Sequence, residues 1–165
     1  IRDLVRSRGL GDVYKRQSVT TPLTSLGTFG SLVCFDSIFP HIARESVKNG
    51  AQLLNVVTND SWFKDSAGVY HHNAHAVLRA VENRRWITRT ANTGISCFIS
   101  PAGEITEPLD PLTTGYTVSE VSLCSGETFY TKTGDLLLYA GIFYLLLIRK
   151  EKKWKIFSSK RRRLH

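Results

Sequence analysis

The order of its apolar segments is the feature that most constrains how this 165-residue chain can fold. Residues 28–35 and 52–57 are rich in β-branched and aromatic side chains and predict two buried strands. Between them, Pro40 suits the first turn of a helix, where its missing N–H costs nothing, and Gly50 suits the C-terminal cap. A second helix is predicted over residues 70–84. This alternation of strand and helix predicts an α/β fold.

The region after the second helix predicts further strands. Residues 86–91 and 95–99 have strand-like composition and are separated at residues 92–94. Residues 100–103 (SPAG) predict a hairpin turn, and residues 116–122 predict one more short strand.

The second helix carries both an apolar stripe and a group of histidines. The apolar residues recur at i, i+3, i+4 and i+7 and predict one core-facing stripe, made of Ala74, Val77, Leu78 and Val81. His71 and His75 share a helix face, next to His72, but no nearby acidic residue completes a zinc pattern such as His-Glu-x-x-His. We therefore expect a polar helix start near a site, and no metal.

The net charge of +8 is concentrated at the two ends of the chain. Residues 149–165 carry +8 and residues 1–17 carry +3, whereas residues 18–148 carry −3. A mildly acidic body argues against a nucleic-acid partner. Residues 1–17 show no regular hydrophobic period and no secretory apolar region, and we interpret them as a non-native leader.

An uninterrupted apolar run occupies residues 136–148. As a helix it would span about 20 Å, short of a hydrocarbon core of about 30 Å. The run is apolar on every face, and the basic residues and Trp154 that follow it could extend a marginal span by snorkelling. We therefore predict a transmembrane helix over residues 132–150, rather than a buried core helix, and a basic cytoplasmic tail over residues 151–165.

Cys34 is the sharpest candidate for chemistry, because it closes the first predicted strand a few residues before a helix begins. Backbone N–H groups at such a point stabilise a thiolate and can hold a developing oxyanion. Asp36 lies near enough to orient neighbouring groups. The alternative is a small, buried, apolar cysteine. Cys97 is interpreted as a core residue, and Cys124 as a loop residue with nothing to activate it.

Several motifs resemble one protein family. The segment CFDSIFP at residues 34–40 resembles the nucleophile segment of the nitrilase, or carbon–nitrogen hydrolase, superfamily. Four further segments resemble its membrane-bound branch, the apolipoprotein N-acyltransferases: NDSWF at 59–63, RAVENRR at 79–85, RTANTGIS at 89–96 and TKTGD at 131–135. The resemblance covers roughly residues 28–148, with the motifs in order.

The resemblance implies an α-β-β-α sandwich, of which residues 18–131 would form the C-terminal part. It implies that Cys34 is a nucleophile, which takes an acyl chain from a phospholipid as a thioester and delivers it to the N-terminal diacylglyceryl-cysteine of an apolipoprotein. The backbone N–H of Phe35 would donate to the oxyanion. Asp36 would fill a supporting acidic place where many relatives carry Glu, and Trp62 and Phe63 could contact acyl chains.

The same resemblance implies no metal and no organic cofactor. It implies a location in the bacterial inner (cytoplasmic) membrane, with the catalytic domain in the periplasm and the basic tail in the cytoplasm.

The sequence departs from the family upstream of Cys34. The family's general-base Glu and catalytic Lys both precede the nucleophile, and no residue of this sequence matches them. We therefore expect a C-terminal fragment that is inactive by itself, because Cys34 would lack its proton acceptor and its cationic oxyanion partner. Two alternatives stay open: a soluble nitrilase-type amidase or carbamoylase, and a non-catalytic interaction module with a nitrilase-like fold.

Overall fold

The computed structural model describes residues 21–23 and 27–162, with side chains over residues 27–150. Within these residues six strands form one mixed sheet whose spatial order follows the sequence. The strands are β1 (Thr21–Leu23), β2 (Gly27–Val33), β3 (Leu53–Asn59), β4 (Ile87–Asn92), β5 (Ser96–Ile99) and β6 (Ile105–Leu109). The pairs β2–β3 and β3–β4 are parallel, and the other neighbours are antiparallel. The α/β prediction is confirmed, whereas the predicted leader over residues 1–17 lies outside the described residues.

Two α-helices connect the parallel strands. Helix α1 (Pro40–Lys48) begins at the predicted proline, and its C-terminal cap is Asn49. Helix α2 (Ala67–Asn83) begins three residues earlier than predicted, because the Ser66 hydroxyl accepts a hydrogen bond from the Gly68 N–H and caps its first turn. Two short 3-10 helices, Cys34–Ile38 and Ser61–Phe63, follow β2 and β3.

The core lies on one face of the sheet, beneath α1 and α2. The side chains that pack there alternate along the strands and include Leu32, Leu54, Val56, Ile87 and Ile99. On the opposite face Val33 and Val57, which are partners in the β2–β3 register, remain 58% and 48% exposed. The described residues thus form one helical layer and one sheet of the expected sandwich.

The predicted core stripe of α2 is wrong. Leu78 and Val81 are exposed, and of the four predicted residues only Val77 packs against the core. The buried face alternates small apolar with polar residues: Val69, His72, Asn73, Ala76, Arg79, Ala80 and Asn83. This face has the same helical period as the predicted one, and its polar members are buried because they hydrogen-bond to groups within the fold.

The last strand of the sheet also differs from the prediction. Residues 116–122 have no regular structure, and β6 instead follows directly from the predicted turn at residues 100–103. The turn is closed by hydrogen bonds from the Gly103 N–H to the Ser100 carbonyl and from the Ser100 N–H to the Glu104 carbonyl. A turn this tight places the next residues alongside β5, which explains the earlier position of the strand.

The described residues from Thr133 onward form a second compact unit. A short helix, α3 (Phe129–Thr133), precedes α4 (Leu136–Arg162), whose apolar side chains up to Leu147 are exposed. No helix in the described part of the chain is both long enough and apolar enough to span a membrane. The predicted transmembrane helix over residues 132–150 is therefore not supported: the helix begins only at Leu136, and basic residues follow its apolar run from Arg149.

The close packing of β2 against α1 can be tested by adding a side chain at Gly30. A Cβ at Gly30 would lie 2.8 Å from side-chain atoms of both Leu54 and Ser46, and 3.2 Å from Ala51. We predict that Gly30→Ala destabilises the fold by about 1–3 kcal/mol through overpacking, measured by urea unfolding. Gly141→Ala is the control, because a Cβ there meets nothing within 4 Å. Equal unfolding midpoints for Gly30→Ala and the parent chain would contradict the described packing.

Candidate active site

Cys34 lies immediately after β2, as the first residue of the 3-10 helix Cys34–Ile38. Its φ of 52° is in the left-handed region, which costs a non-glycine residue about 1–3 kcal/mol and persists only where the surroundings hold it. Two groups hold its carbonyl oxygen here: the Ser37 hydroxyl at 3.0 Å and His72 Nε2 at 3.2 Å. The Cys34 side chain is half-buried.

Asp36 makes two hydrogen bonds that stabilise the same turn. Its buried carboxylate accepts a hydrogen bond from the Val33 N–H at 2.9 Å, and its carbonyl accepts one from the Phe39 N–H at 3.1 Å. The short side chain therefore holds the backbone just before Cys34, and the Asp36 carbonyl holds the backbone at the end of the turn. The predicted supporting role of Asp36 is compatible with this position and stays a prediction.

Aromatic rings cluster beside the Cys34 turn. The Phe35 ring stacks on His72 with centroids 5.5 Å apart, and Phe63 lies 6.3 Å from Phe35 and 5.7 Å from His72. Trp62, by contrast, is 85% exposed. The structure thus brings Phe63 to the turn and leaves the Trp62 side chain in solvent.

A buried carboxylate connects this turn to the sheet. Asp60 follows β3, and its Oδ1 accepts hydrogen bonds from the Thr58 hydroxyl at 2.9 Å and from His72 Nδ1 at 2.8 Å. Its Oδ2 accepts a hydrogen bond from Arg89 Nη2 at 2.6 Å. The side chains of Asp60, His72 and Arg89 are all buried. Together they join the end of β3, helix α2 and strand β4.

Arg89 depends on Asp60 for its charge compensation. Burial lowers the pKa of the Arg89 guanidinium, whereas the Asp60 carboxylate raises it, as to a smaller extent do Cys97 and Cys34. Arg89 Nε and Nη1 have no hydrogen-bond partner among the described residues. A buried guanidinium still keeps its proton, so the ion pair with Asp60 is its principal stabilising contact.

Arg79 fixes the far end of the 3-10 helix to α2. Its Nη1 donates to the Ile38 carbonyl at 3.0 Å, and its Nη2 donates to Glu82 at 2.8 Å. The Cys34 turn is therefore held at its start by His72 and at its end by Arg79, and both side chains come from the buried face of α2.

Residues 4–129 match the family model for the carbon–nitrogen hydrolases. The chain belongs to the carbon–nitrogen hydrolase family. It is 39% identical over 132 residues to the apolipoprotein N-acyltransferase of Geobacter metallireducens, an alignment that covers 80% of this chain and 25% of that protein. It is 40% identical over 110 residues to the enzyme of that name from Thermotoga maritima, covering 67% of this chain and 22% of that protein.

These similarities confirm the resemblance to the apolipoprotein N-acyltransferases. This carbon–nitrogen hydrolase chain spans about a quarter of the length of the curated relatives that it matches. Among solved structures, it aligns with Saccharomyces cerevisiae Nit3, a member of branch 10 of the nitrilase superfamily, at a TM-score of 0.49 and 25% identity. That alignment covers 57% of this chain and 37% of Nit3.

The other two cysteines of this carbon–nitrogen hydrolase lie apart from the Cys34 turn. Cys97 is buried among core side chains, as predicted, with its Sγ 3.6 Å from the Asn73 side-chain oxygen. Burial raises the pKa of the Cys97 thiol from 9.0 to about 11, although the Arg89 charge acts in the opposite direction. Cys124 lies half-buried in a loop, as predicted.

The histidines of α2 differ in how deeply they are buried. His71 is exposed, and within the described residues no group of three His, Cys, Asp or Glu side chains could hold a metal ion. Burial lowers the pKa of His75, and the positive charges of Arg79, His72 and His71 act in the same direction. His72 is the buried member and the one that reaches the Cys34 turn.

Sequence reasoning did not identify the buried cluster of Asp60, His72 and Arg89. Asp60 and Arg89 lie inside motifs that carried the family resemblance, and His72 lies in the histidine cluster that we considered for metal binding. The sequence did carry one signal, which is the charge of two residues next to apolar segments. Asp60 comes just after a strand that is expected to be buried, and Arg89 lies within another such strand. Buried charges need partners, and these residues are each other's partners.

The Asp60 network predicts a large stability effect from a small chemical change. We predict that Asp60→Asn lowers the free energy of unfolding by about 3–5 kcal/mol, because it leaves Arg89 as a buried charge without its carboxylate. The matched control is Asp65→Asn, an exposed carboxylate close by in the chain, which should change stability by about 0.5 kcal/mol or less. If urea unfolding gives equal losses for the two variants, the network does not stabilise the fold.

The cysteines should differ in their reactivity toward alkylating agents. At about pH 8, Cys97 should stay a neutral thiol, because its raised pKa of about 11 is well above that pH, and burial should also exclude the reagent. Cys34 and Cys124, which are half-buried, should both react with iodoacetamide. Peptide mass spectrometry of the folded chain measures this. Modification of Cys97 at the rate of Cys124 would contradict the described core.

Proposed function

We propose that this chain carries the nucleophile of an enzyme that moves an acyl chain from a phospholipid to the N-terminal diacylglyceryl-cysteine of an apolipoprotein. The observation that carries the proposal is the strained turn at Cys34, fixed by His72, Asp36 and Arg79, in a chain whose curated relatives are named apolipoprotein N-acyltransferases. A backbone conformation held against its own preference is typical of a catalytic residue.

The chemistry proceeds in two halves. The Cys34 thiolate attacks the ester carbonyl of the phospholipid, and the Phe35 N–H donates to the oxyanion that forms. Cleavage of the C–O bond leaves the acyl chain on Cys34 as a thioester, and the departing lysophospholipid oxygen takes the proton that, on the family pattern, the general-base Glu removed from the Cys34 thiol. The amine of the lipidated cysteine then attacks the thioester, an amide forms, and Cys34 leaves as a thiol.

The aromatic cluster supports a lipid substrate rather than a small polar one. Phe35 and Phe63 present apolar rings beside the Cys34 turn, and the exposed Trp62 directly precedes Phe63. We propose that these side chains contact the acyl chain once it is bound. Because both donor and acceptor are lipids, we place the reaction at the bacterial inner membrane.

A chimeric enzyme tests the proposal. In this chimera, the segment of the G. metallireducens relative that aligns to residues 28–131 is replaced by those residues. The chimera keeps the relative's own upstream residues, which on the family pattern include the Glu and Lys. We expect it to form a hydroxylamine-sensitive acyl group on Cys34 with phospholipid and to acylate a diacylated lipopeptide. Cys34→Ala should reduce both reactions to background, whereas Cys124→Ala should leave them unchanged.

Two outcomes of this experiment would contradict the proposal. Acyl transfer that survives in the Cys34→Ala chimera would exclude Cys34 as the nucleophile. A chimera that hydrolyses small amides, forms no acyl group from phospholipid and does not acylate the lipopeptide would favour the amidase alternative.

The 165-residue chain by itself should form no acyl thioester. On the family pattern, proton removal from Cys34 needs a Glu, and the oxyanion needs a Lys, and no residue of this sequence matches either. We expect no labelled thioester when the purified chain is incubated with labelled phospholipid in detergent, measured beside the chimera as a positive control. Stoichiometric labelling of Cys34 in the isolated chain would contradict this.

A further inference from the structure

Two exposed asparagines lie side by side where β3 and β4 end. Asn59 and Asn92 are the last residues of these parallel strands and are partners in their register. Side chains alternate between the two faces of a strand, so Asn59 shares with Val57 the sheet face opposite α1 and α2. The two carboxamides therefore lie next to each other at the carboxyl edge of the sheet.

The hydrogen bonds of this pair fix how both carboxamides are turned. The Ser61 backbone N–H can only donate, and it lies 3.2 Å from the Asn59 side-chain oxygen. The same oxygen lies 3.4 Å from Asn92 Nδ2, which donates to it. Asn59 Nδ2 and the Asn92 side-chain oxygen have no hydrogen-bond partner among residues 27–150. The pair thus presents a free donor group and a free acceptor.

The backbone after Asn92 is held in an unfavourable conformation. Thr93 has a φ of 63°, and a β-branched residue rarely adopts this left-handed region. The Asn92 carbonyl accepts from the Asp60 N–H at 3.0 Å, and the Thr93 carbonyl accepts from the Leu112 N–H at 3.2 Å. Strained residues therefore follow two of the parallel strands, Cys34 after β2 and Thr93 after β4. Strain of this kind is typical of functional sites.

The asparagine pair is close enough to Cys34 to contact a substrate there. Val33 is the register partner of Val57, so Asn59 lies one residue beyond the level of Cys34 on the neighbouring strand. Strands about 4.8 Å apart with a rise of about 3.3 Å per residue put the two Cα atoms about 6 Å apart. In a peptide, the first carbonyl oxygen lies within about 4 Å of the α-amine. An amine that attacks an acyl group on Cys34 therefore brings its own first carbonyl within reach of Asn59.

We propose that Asn59 and Asn92 form a subsite for the peptide backbone of the acyl acceptor. Asn59 Nδ2 donates to the carbonyl oxygen of the lipidated cysteine, and the Asn92 side-chain oxygen accepts from a backbone N–H further along the acceptor. The inference rests on the proposed function, because it places the acceptor beside Cys34. It assigns the pair to the second half of the acyl transfer, in which the amine attacks the thioester.

The chemistry of the pair favours a peptide over a phospholipid. A peptide backbone offers both carbonyl acceptors and N–H donors, so it satisfies both free groups of the pair. The ester and phosphate groups of a phospholipid offer acceptors alone, and they would leave the Asn92 oxygen unpaired. The subsite therefore distinguishes the acyl acceptor from the acyl donor.

Two matched acceptors test the subsite in the G. metallireducens chimera. One is the diacylated lipopeptide. The other is S-diacylglyceryl-cysteamine, which has the same lipid and amine but lacks the cysteine carbonyl and the peptide. Asn59→Asp keeps an oxygen for Ser61 and Asn92 and replaces the Asn59 donor with a second acceptor. We expect it to lower kcat/KM for the lipopeptide about tenfold and to change that for S-diacylglyceryl-cysteamine by less than about twofold.

Asn55→Asp is the control for the added charge. Asn55 lies on the same strand and face as Asn59, and its side-chain oxygen accepts from the Thr88 hydroxyl at 2.8 Å. Aspartate keeps that contact, so this variant should leave the reactions with both acceptors unchanged. Formation of the acyl thioester from phospholipid should be the same in the parent chimera and in both variants.

The possible results separate the subsite from the proposed function. In an active chimera, an unchanged kcat/KM for the lipopeptide in Asn59→Asp would overturn the subsite. An equal loss with both acceptors would also overturn it, because a structural defect does not depend on the acceptor. A chimera that forms no acyl thioester would reject the proposed function instead.

Binding to the 165-residue chain decides the subsite without turnover, and it does so even if Asn59→Asp does not fold. The chain is labelled with ¹⁵N, held in detergent micelles and mixed with either acceptor. The lipopeptide should shift the side-chain amide NMR signals of Asn59 and Asn92 more than S-diacylglyceryl-cysteamine does. Equal shifts with the two compounds, or no shifts, would overturn the subsite.

Discussion

The buried carboxylate of Asp60 is the interaction on which the rest of this structure depends. A carboxylate removed from water is tolerated only when charge and hydrogen bonds replace its hydration, and Asp60 receives both from Thr58, His72 and Arg89. Each donor comes from a different element. One carboxylate therefore fixes the position of helix α2 relative to strands β3 and β4, and through His72 it fixes the turn that carries Cys34.

The sheet topology explains why these residues meet. Strands β2, β3 and β4 are parallel neighbours, so their carboxyl ends lie along one edge of the sheet. Cys34 follows β2, and Asp60 follows β3, where its N–H also donates to the carbonyl of Asn92 at the end of β4. Ligand sites of open α/β sheets form at this edge. Gly94 belongs to the same arrangement, because a side chain there would collide with the Asp60 carboxylate.

Much of the fold could be predicted from the sequence because the strands are short, apolar and β-branched and the helix boundaries have local signals. Pro40 marks the start of α1, and the position of Cys34 at the end of β2 follows from the apolar run before it. The buried face of α2 could not be predicted in this way. Its polar residues have the same spacing as the apolar residues Leu78 and Val81, and only the partners contributed by other elements show which face is inside.

The candidate site was predictable only in part, because local sequence signals can be recognised but contacts between distant residues cannot. A cysteine at the end of a strand can be recognised locally, whereas the link from Cys34 through His72 to Asp60 and Arg89 joins residues far apart in the sequence. Position alone also did not separate Trp62 from Phe63: the structure exposes one and packs the other beside His72. The predicted transmembrane helix depended on extending an apolar run into its flanks, and the helix itself does not meet the requirement for a span.

A double-mutant cycle between Asp60 and His72 tests the central claim most directly. The free energies of unfolding of Asp60→Asn, His72→Gln and the double variant are measured by urea denaturation, with the Asp65→Asn and His71→Gln pair as the control cycle. If the two buried side chains act as one unit, the double variant should lose about 1–3 kcal/mol less than the sum of the single losses. Additive losses, within about 0.5 kcal/mol, would show that Asp60 and His72 act independently and would contradict the account.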